Sequence, residues 1–404
     1  MNKIIFELNE FNLRLLEENK KKYLNINKLL SQYIYKTKIK ANYDSNYLEP
    51  WSQWISIHTG IEAKDHKIKH LGDSHYNENP QIWEKNEKIK LVWGCLNSSH
   101  GIRKNIKFFP DPWSINQNTN IENTKNILSF LRSAVQSRSK KNIIKIFFKS
   151  FLAFFDHIKI LNFKILKIMP LLKGVSSSSE LYGIFEYLNL LIFLKIHKKS
   201  KSNISIFFAN TLAHYQHYYW SKKFNRKIHW SLSLIDKMLG EIYKVTSNVL
   251  IINGLSQEKS DELENWFSYI PRGGFEGFFK KFNLLFKEII PCMSYDCLVT
   301  FNKIDEKINF IHEITKFKII KTKNNLFVID DYKDLKRIFL RMNYYDESDI
   351  DFEYNNSSYK FVESFEVLTK RTGRHIQRCD IISSNKILDE NLIYNEDIYK
   401  ILDK

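Results

Sequence analysis

Short apolar runs that alternate with helical periodicity restrict the fold of this chain more than any other feature. Strand-like runs lie at Lys3–Phe6, Ile89–Trp93, Ile204–Phe208 and Asn248–Asn253, and apolar residues recur at helical spacing across 228–245. Continuously apolar strands are typical of parallel sheets covered on both faces, and a strand, helix and strand in this order form a βαβ unit. The sequence therefore predicts an α/β fold with a mainly parallel central sheet flanked by helices.

Two further segments predict additions to this core. Helical periodicity dominates residues 123–203, which we interpret as a helical cap inserted into the core. A strand, a helix and two more strands follow one another within 296–360, which predicts a small α+β subdomain. The predicted division is a first part of the core at 1–122, the cap at 123–203, a second part of the core at 204–295, the subdomain at 296–360 and a C-terminal return to the core at 361–404.

The chain is basic, with 62 Lys and Arg against 45 Asp and Glu and a net charge of +17. Such an excess suits an anionic partner: nucleic acid, an acidic membrane surface, or a phosphorylated or acidic-sugar substrate. The charge is spread along the chain, and the sequence contains no RNA-recognition signature, zinc finger or arginine-rich arm. We therefore expect no nucleic-acid partner.

Cysteine usage and the N-terminal residues indicate a cytoplasmic protein. The four cysteines form no C-x-x-C pair, which favours reduced, unpaired thiols. Glu7 and Glu10 follow the first apolar residues at once, so there is no signal-peptide apolar region.

The most apolar stretch, 143–172, is interrupted by several lysines and an aspartate, which argues against a membrane span. Two interpretations remain open. The stretch either packs on the domain as part of the cap, or forms basic amphipathic helices that lie on a membrane face, with the protein peripheral to the inner membrane.

Three motifs carry a family resemblance. Residues Glu49–Gly60 read Glu-Pro-Trp-Ser-Gln-Trp-Ile-Ser-Ile-His-Thr-Gly and are followed by His66. Residues Ser233–Gly240 precede the strand that ends at Asn253. Near the C-terminus, Thr372 to His375 read Thr-Gly-Arg-His.

In their order and separation these motifs resemble the alkaline phosphatase superfamily, which includes phosphodiesterases, sulfatases and cofactor-independent phosphoglycerate mutases. In that family a Thr or Ser opens a helix that ends in Thr-Gly, a Ser-Asp-His-Gly segment follows a strand, and a late Gly-x-His supplies the last metal ligand. The start Phe-Glu-Leu-Asn-Glu and the segment Glu-Pro-Trp-x-Gln-Trp resemble a branch found among bacterial surface-polysaccharide genes. The resemblance implies an alkaline phosphatase-like fold.

The departures from the family pattern concern its metal site. The family's Asp at the end of the first strand falls here on Glu7 or Asn9, and the register of its nucleophile falls near Pro50. In place of Ser-Asp-His-Gly the chain has Asn253-Gly254-Leu255-Ser256, so both of those ligands are missing. The family's Asp-x-x-x-His corresponds to Ala213 to His217. A conventional two-metal site therefore cannot be built from these residues.

Three histidines are the predicted ligands of a single divalent metal ion, zinc or similar. His214 and His217 follow directly after a predicted strand, where ligands of open α/β sheets gather. Together with His375 they would complete a three-nitrogen site with an open position. Such a cation polarises a phosphoryl or sulfuryl oxygen. The alternative is that these are hydrogen-bonding histidines packed near aromatic side chains.

Glu7 and Ser52 are the predicted catalytic residues. Glu7 ends a buried strand, where a carboxylate is costly unless it is paired or metal-bound. It is either a metal ligand or general base, or the partner of an Arg or Lys. Ser52 begins an apolar helix and is either a nucleophile beside the helix amides or a helix cap.

The predicted substrate-binding residues carry hydrogen-bonding or charged groups around the same motifs. Arg374 would clamp a phosphate, and Glu49 would serve as a neighbouring base, although each is also explained as a surface charge. Amide groups would bind sugar or phosphate oxygens. The full set is Asn9, Glu49, Asn253, Gln257 and Arg374.

The residues and the resemblance together predict a hydrolase or transferase. Its substrate would be a phosphorylated or otherwise anionic carbohydrate, lipid-linked in one version, in bacterial surface-polysaccharide metabolism. The alternative is a catalytically inactive alkaline phosphatase-like protein that binds a glycan or a partner protein.

Overall fold

The computed structural model describes residues 2–40, 48–73, 77–99, 105–114, 116–136, 149, 152–154, 157, 171, 178–220, 225–260, 266–292, 296–332, 335–344, 350–387 and 394–403. The chain divides into two units. The first comprises Met1–Lys259 and Gly373–Lys404, and the second comprises Ser260–Thr372.

A seven-stranded sheet forms the centre of the first unit, in the order β2-β18-β6-β1-β5-β3-β4. All pairings among β6, β1, β5, β3 and β4 are parallel, and β18 runs antiparallel to both of its neighbours. The prediction of a mainly parallel sheet is therefore confirmed. The strands are β1 (Lys3–Leu8), β2 (Tyr33–Lys38), β3 (Ile89–Trp93), β4 (Lys107–Phe109), β5 (Ile204–Ala209), β6 (Val249–Ile252) and β18 (Arg378–Ser383).

Helices cover this sheet, and a short antiparallel ribbon of β7 (Ser256–Lys259) and β17 (Gly373–Ile376) extends from the same unit. The helices are α1 (Leu13–Asn19), α2 (Leu24–Leu30), α3 (Pro50–Thr59), α4 (Ala63–His66), α5 (Ile82–Lys85), α6 (Lys125–Gln136), α7 (Ser178–Ser200), α8 (Thr211–Tyr219), α9 (Arg226–Tyr243) and α13 (Tyr399–Asp403), with 3-10 turns at Lys20–Lys22 and Asn395–Ile398.

The burial of the central strands explains why their sequences are continuously apolar. Ile4, Ile5 and Phe6 of β1 are fully buried, as are all four residues of β6 to within 1%. A strand covered on both faces has no solvent side and therefore needs no polar alternation. Helix α9 instead buries one stripe of apolar residues, which is the pattern that predicted it.

The structure corrects the predicted helical cap at 123–203. Helix α7, at the end of that segment, packs on β3, β5, α8 and α9 and contributes to the main hydrophobic core. It is therefore a sheet-flanking helix of the core, because its apolar residues face the sheet and its neighbouring helices. Helix α6 also contributes buried residues to this core, and most of 137–177 lies outside the described residues.

The second unit is wider than the predicted subdomain at 296–360. Its bounds are Ser260 and Thr372, because β8 pairs with β16 and so joins its two ends. Return to the first unit comes at Gly373 rather than at residue 361. Its strands are β8 (Trp266–Pro271), β9 (Glu288–Pro291), β10 (Cys297–Thr300), β11 (Lys318–Ile319), β12 (Phe327–Asp331), β13 (Arg337–Met342), β14 (Asp351–Tyr354), β15 (Ser357–Lys360) and β16 (Phe365–Arg371), and its helices are α10 (Gly274–Lys281), α11 (Ile304–Ile314) and α12 (Phe361–Ser364).

The core of the second unit is rich in phenylalanine. The rings of Phe278, Phe317, Phe327 and Phe365 lie in edge or tilted contact, with centroid separations such as 5.1 Å between Phe278 and Phe365. Such geometries are favoured by the ring quadrupole and add to the burial of apolar area. This unit therefore has a hydrophobic core of its own.

Two observations bear on the membrane and redox expectations. No helix among the described residues is long and apolar enough to cross a membrane. All four cysteines are buried.

His66 makes two hydrogen bonds, one of which connects α4 to α3. Its Nδ1 accepts from the amide of Ile68 at 3.0 Å, so Nε2 carries the proton that reaches Ser56 Oγ at 3.1 Å. Burial lowers the pKa of His66 to about 4, although the Ser52 carbonyl and Asp65 oppose the shift. The folded state therefore holds this imidazole neutral.

We expect this histidine to make the protein less stable as the pH falls from 6.5 to about 4. In that range the unfolded chain binds a proton that the folded chain does not, so each such group lowers the free energy of unfolding by about 1.4 kcal/mol per pH unit. Urea denaturation at several pH values should show a smaller slope for His66→Gln than for the unsubstituted protein. The exposed His312→Gln serves as the control. An unchanged slope in His66→Gln would contradict the assignment.

Candidate metal site

The carboxyl ends of three adjacent strands each lead into an asparagine. Strands β6, β1 and β5 are neighbours in the sheet, and Asn253, Asn9 and Asn210 follow them directly. The Asn9 amide donates to Asn210 Oδ1 at 2.7 Å, and Asn253 Nδ2 donates to the carbonyl of Phe11 at 2.8 Å. These amides fix the turn that follows β1, at the edge where ligands of parallel sheets bind.

Glu10 lies in this turn with φ of 55°, the left-handed region that non-glycine residues seldom adopt. Two hydrogen bonds to the backbone of Glu10 hold the residue in this conformation. Its amide donates to the carbonyl of Asn253 at 2.8 Å, and its carbonyl accepts from Gln216 Nε2 at 2.7 Å. Strained conformations of this kind persist only where neighbouring groups determine them, and they are frequent at functional sites.

The Glu10 carboxylate is 2% exposed and is surrounded by donors. Oε1 accepts from Asn9 Nδ2 at 2.8 Å, and Oε2 accepts from Gln257 Nε2. Oε2 also lies 3.0 Å from His217 Nε2 and 3.1 Å from His375 Nε2. One carboxylate oxygen and two imidazole nitrogens therefore meet at a single point.

The two histidines reach this point from separate elements. His217 lies in the last turn of α8, which packs on the β7–β17 ribbon. His375 lies in β17 directly opposite Gln257 in β7. The rings of His217 and His375 are 5.1 Å apart between centroids, well within the distance that a shared ligand requires.

A hydrogen bond on the far side of the ring orients His375. Its Nδ1 lies 3.0 Å from the carbonyl of Leu48 and 3.5 Å from Glu49 Oε2. Because the carbonyl can only accept, Nδ1 carries the proton and Nε2 is left as the ligand atom in the neutral ring. Such outer partners orient metal-binding histidines in many proteins.

Gly373 lets the ribbon approach α8. A Cβ at this position would lie 2.6 Å from the carbonyl oxygen of Gln216 and 2.7 Å from Gln257 Oε1. No side chain fits there without moving backbone, so the Gly-x-His spacing of the sequence has a steric cause. The close approach places His375 beside His217.

The histidine charges act strongly on Glu10. Burial alone raises the pKa of its carboxyl, but the charges of His375 and His217 and their hydrogen bonds lower the pKa by more, so the net pKa is well below the ordinary 4.5. Glu10 is therefore ionised at neutral pH. A buried anion next to two imidazoles either attracts protons onto the rings or binds a cation.

The donor set fits a divalent transition metal. The three ligand atoms of Glu10, His217 and His375 all lie within 4.8 Å of one another. Two imidazoles and one carboxylate form the protein part of catalytic zinc sites that keep a fourth position open. The coarse prediction of a metal-binding cluster therefore has a defined candidate, with Glu10 in the place that was assigned to His214.

His214 lies outside this cluster. Its Nε2 contacts Ser179 Oγ at 3.2 Å, and the aromatic ring of Tyr218 lies 4.8 Å from its own ring. His214 lies one turn before His217 on the same helix, but its side chain is not part of the group of converging ligand atoms.

Ser52 is the third residue of α3 and is completely buried. Its Oγ has no hydrogen-bond partner among the described residues, and the N-cap position belongs to Glu49. A hydroxyl closed off from solvent cannot contact a substrate in this conformation. The structure therefore gives no support to Ser52 as a nucleophile or as a cap.

Glu7 pairs with a histidine rather than with an Arg or Lys. Its Oε1 lies 2.6 Å from His58 Nε2, and both side chains are fully buried. The His58 ring packs between Trp54 and Trp83, with centroid distances of 5.6 and 4.8 Å. This pair connects α3 to β1, and Glu7 is not one of the three residues whose ligand atoms converge.

The other predicted substrate contacts have structural partners. Asn253 and Asn9 hold the turn around Glu10, with Asn9 Oδ1 accepting from Trp54 Nε1 at 2.8 Å. Gln257 donates to Glu10 and to the carbonyl of Ala213. Arg374 pairs with Glu258 at 2.8 Å, and both side chains are partly exposed.

Sequence reasoning missed Glu10 as a ligand. The sequence pattern locates the end of β1 correctly. It places the family's acidic residue at Glu7 or Asn9, because the family has this residue at the end of the strand and not in the turn after it. A carboxylate two residues past the last strand residue was the available signal. Only the left-handed turn brings that carboxylate over the end of the sheet.

Comparisons with known proteins give limited similarity. No family model and no curated protein matches the chain. Among solved structures, phosphonoacetate hydrolase from Sinorhizobium meliloti 1021, in complex with phosphonoformate, shows 9% identity and a TM-score of 0.49 over 100% of this chain and 95% of that one. Human ectonucleotide pyrophosphatase/phosphodiesterase 5 shows 9% identity and a TM-score of 0.47 over 100% and 94%.

Both of those proteins are members of the alkaline phosphatase superfamily, which the sequence motifs also resemble. At this identity and with TM-scores under 0.5, the similarities carry neither activity nor ligands over to this chain. The α/β fold rests on the strand order given above, and the candidate site rests on its own contacts.

We expect the purified protein to bind one zinc ion through this cluster. Replacing His217 or His375 by Ala, or Glu10 by Gln, removes one of three ligands and should weaken zinc binding by at least about 100-fold, since loss of outer-shell partners alone costs 10- to 100-fold. Isothermal titration of metal-free protein with zinc measures the affinity.

The matched control is His214→Ala, which should keep the affinity of the unsubstituted protein. If His214→Ala loses zinc as His217→Ala does, the ligand set is wrong. If the unsubstituted protein shows no binding at all, the cluster is an ion-paired triad without a metal.

Proposed function

We propose that this protein is a metal-dependent hydrolase or transferase that acts on a phosphoester or a related anionic ester. The convergence of Glu10 Oε2, His217 Nε2 and His375 Nε2 carries the proposal. A three-ligand set with an open position is typical of catalytic rather than structural metal sites.

The residues around the cluster have separate tasks. Glu10, His217 and His375 hold the cation, which polarises a phosphoryl oxygen of the substrate when it is bound. The Leu48 carbonyl keeps His375 in the tautomer that presents Nε2. Asn9 and Gln257 keep the Glu10 carboxylate in place through its two oxygens.

Glu49 is the residue best placed to exchange a proton near this site. It sits at the N-cap position of α3, its side chain is 28% exposed, and its Oε2 is 3.5 Å from His375 Nδ1. A partly solvated carboxylate beside the ligand shell can accept a proton from an attacking group. Glu49 therefore becomes the proposed general base, in place of Glu7.

For the substrate we propose a phosphorylated or otherwise anionic carbohydrate, lipid-linked in one version, in bacterial surface-polysaccharide metabolism. Two observations support this choice. The net charge of +17 favours anionic substrates, and the N-terminal motifs resemble a branch of the superfamily found among surface-polysaccharide genes. The enzyme is a hydrolase if water accepts the transferred group and a transferase if a second sugar accepts it.

A glycan- or protein-binding role without turnover is the alternative function. It is favoured by Asn253 and Gln257, which lie in the segment where the family has two metal ligands and whose side-chain amides donate to protein groups instead. Among the described residues these positions offer no ligands for a second metal ion. Binding without turnover would require the same fold and pocket but no cation.

The activity test uses bis(p-nitrophenyl) phosphate as a generic phosphodiester. Turnover should require zinc, stop after treatment with EDTA and return when zinc is restored. His217→Ala should lose turnover to background, and Glu49→Gln should lower kcat by roughly 100-fold with unchanged zinc affinity, because general base catalysis contributes about that much.

The matched control is Arg374→Gln, because Arg374 pairs with Glu258 on the outer side of the ribbon and should leave kcat unchanged. A protein that binds zinc but turns over no phosphodiester, phosphomonoester or sulfate ester would favour the binding role. Full activity in the presence of EDTA would exclude the metal-dependent proposal.

We further propose a cytoplasmic location at the inner-membrane surface, supported by the basic, apolar segment 143–172 and the net charge. The protein should float with vesicles that contain anionic lipid at low salt and dissociate as salt rises, since the Debye length falls to about 8 Å at physiological ionic strength. Vesicles of neutral lipid are the control. Failure to float at low salt would remove the membrane proposal.

A further inference from the structure

A serine and a histidine meet beside the metal site without taking part in it. Ser179 Oγ of α7 lies 3.2 Å from His214 Nε2 of α8. Both side chains are partly exposed to solvent. Hydroxyl and imidazole at hydrogen-bond distance are the combination that activates a serine for nucleophilic attack.

Two other serine–histidine contacts among the described residues show what distinguishes this pair. Ser56 contacts His66 at 3.1 Å, and Ser205 contacts His197 at 2.7 Å. All four of those side chains are buried, at 6% exposure or less. They can connect elements of the fold but cannot reach a ligand, whereas Ser179 and His214 can.

The helices that carry the pair are fastened to each other. Glu186, two turns after Ser179 on α7, accepts from the amide of Asn210 at 2.5 Å and from the amide of Thr211 at 3.2 Å. This carboxylate therefore binds the start of α8 one turn before His214. Reactive groups on rigid, mutually fixed elements keep their geometry better than groups on loops.

The surroundings keep the imidazole neutral, and an ion pair lies near it. Burial, together with the charges of His217 and Lys227, lowers the pKa of His214 to about 4, while Glu180 opposes the shift. The imidazole is thus unprotonated near neutral pH. The Lys227 ammonium is 3.0 Å from Tyr219 Oη and 3.8 Å from the buried Glu180 carboxylate, and because it is partly exposed an anionic group can share it with Glu180.

We propose that Ser179 is a nucleophile and His214 its general base, forming a covalent site for phosphoryl or phosphonyl groups next to the metal cluster. In the reactive tautomer His214 carries a proton on Nδ1, and Ser179 donates to Nε2. As the Oγ–P bond forms, the Oγ proton passes to Nε2 and the bond from phosphorus to the leaving group breaks. The protonated imidazole then gives its proton to an alkoxide leaving group, and water later releases the phosphoryl group.

This inference goes beyond the proposed function, since the attack uses only groups of the chain.

The test uses a fluorophosphonate, from which fluoride leaves as Ser179 attacks phosphorus. At neutral pH the unsubstituted protein should gain the mass of one phosphonyl group, and peptide mapping should place it on Ser179. Ser179→Ala should remain unlabelled. His214→Gln should be labelled at least about 100-fold more slowly, which is the usual contribution of a general base.

Ser56→Ala is the matched control, because its hydroxyl also contacts a histidine but is buried, and it should be labelled like the unsubstituted protein. Circular dichroism and thermal unfolding establish that each variant is folded. If His214→Gln does not fold, Ser179→Cys replaces it. Its thiol should react with iodoacetamide faster than that of Ser200→Cys at the other end of α7, while the four native cysteines are buried.

Absence of an adduct, an adduct on another residue, or undiminished labelling of Ser179→Ala would each overturn the proposal. Labelling is measured both with EDTA and with zinc. A protein that binds no zinc but is labelled on Ser179 refutes the metal-dependent function and leaves the serine site standing. A protein that binds zinc but is not labelled on Ser179 refutes the serine site and leaves the metal-dependent function standing.

Discussion

A single buried carboxylate, that of Glu10, imposes the main physical demand on this protein. An anion removed from water is stable only where hydrogen bonds or opposite charges replace its hydration, and Glu10 obtains both. Asn9 and Gln257 donate to its two oxygens, and His217 and His375 provide positive charge or receive a cation with it. These partners come from the turn after β1 and from α8, β7 and β17, so the demands of one side chain fix the relative positions of four segments. The site and the first unit are therefore stabilised by the same contacts.

Much of the fold could be predicted from the sequence, for a physical reason that particular strands illustrate. The run Val249–Ile252 is apolar at every position because it is covered on both faces, and such a run has few other interpretations. Helix α7 shows the limit. Its periodicity correctly predicts a helix, but periodicity does not say which surface the apolar side covers, and a core helix was interpreted as part of a cap. The bounds of the second unit were missed for a similar reason, since the pairing of β8 with β16 joins residues about a hundred positions apart.

The site was partly predictable, and the successes and failures follow from what spacing can encode. The sequence could indicate that His217 and His375 lie close together because a strand end and a Gly-x-His segment have fixed local geometry, and Gly373 has a steric reason to be there. Glu10 was not found as a ligand because its position depends on a left-handed turn held by Asn253 and Gln216 from distant parts of the chain. The sequence leaves Ser52 as either a nucleophile or a helix cap, because it cannot show that the first turn of α3 is buried.

The ribbon of β7 and β17 has a consequence for how this architecture arises and assembles. Lys259 and Gly373 are paired neighbours, and the whole of Ser260–Thr372 leaves and re-enters the first unit between them. Because the two ends of this inserted segment are adjacent, the segment can be gained, lost or replaced by a tight hairpin during evolution without displacing Gln257 or His375. During folding, the loop-closure entropy of the ribbon grows with the logarithm of the intervening length. If Ser260–Thr372 folds first around its own phenylalanine core, the flexible loop that remains between β7 and β17 is effectively much shorter. The order in which the two units fold would then determine how quickly His375 reaches its position beside His217.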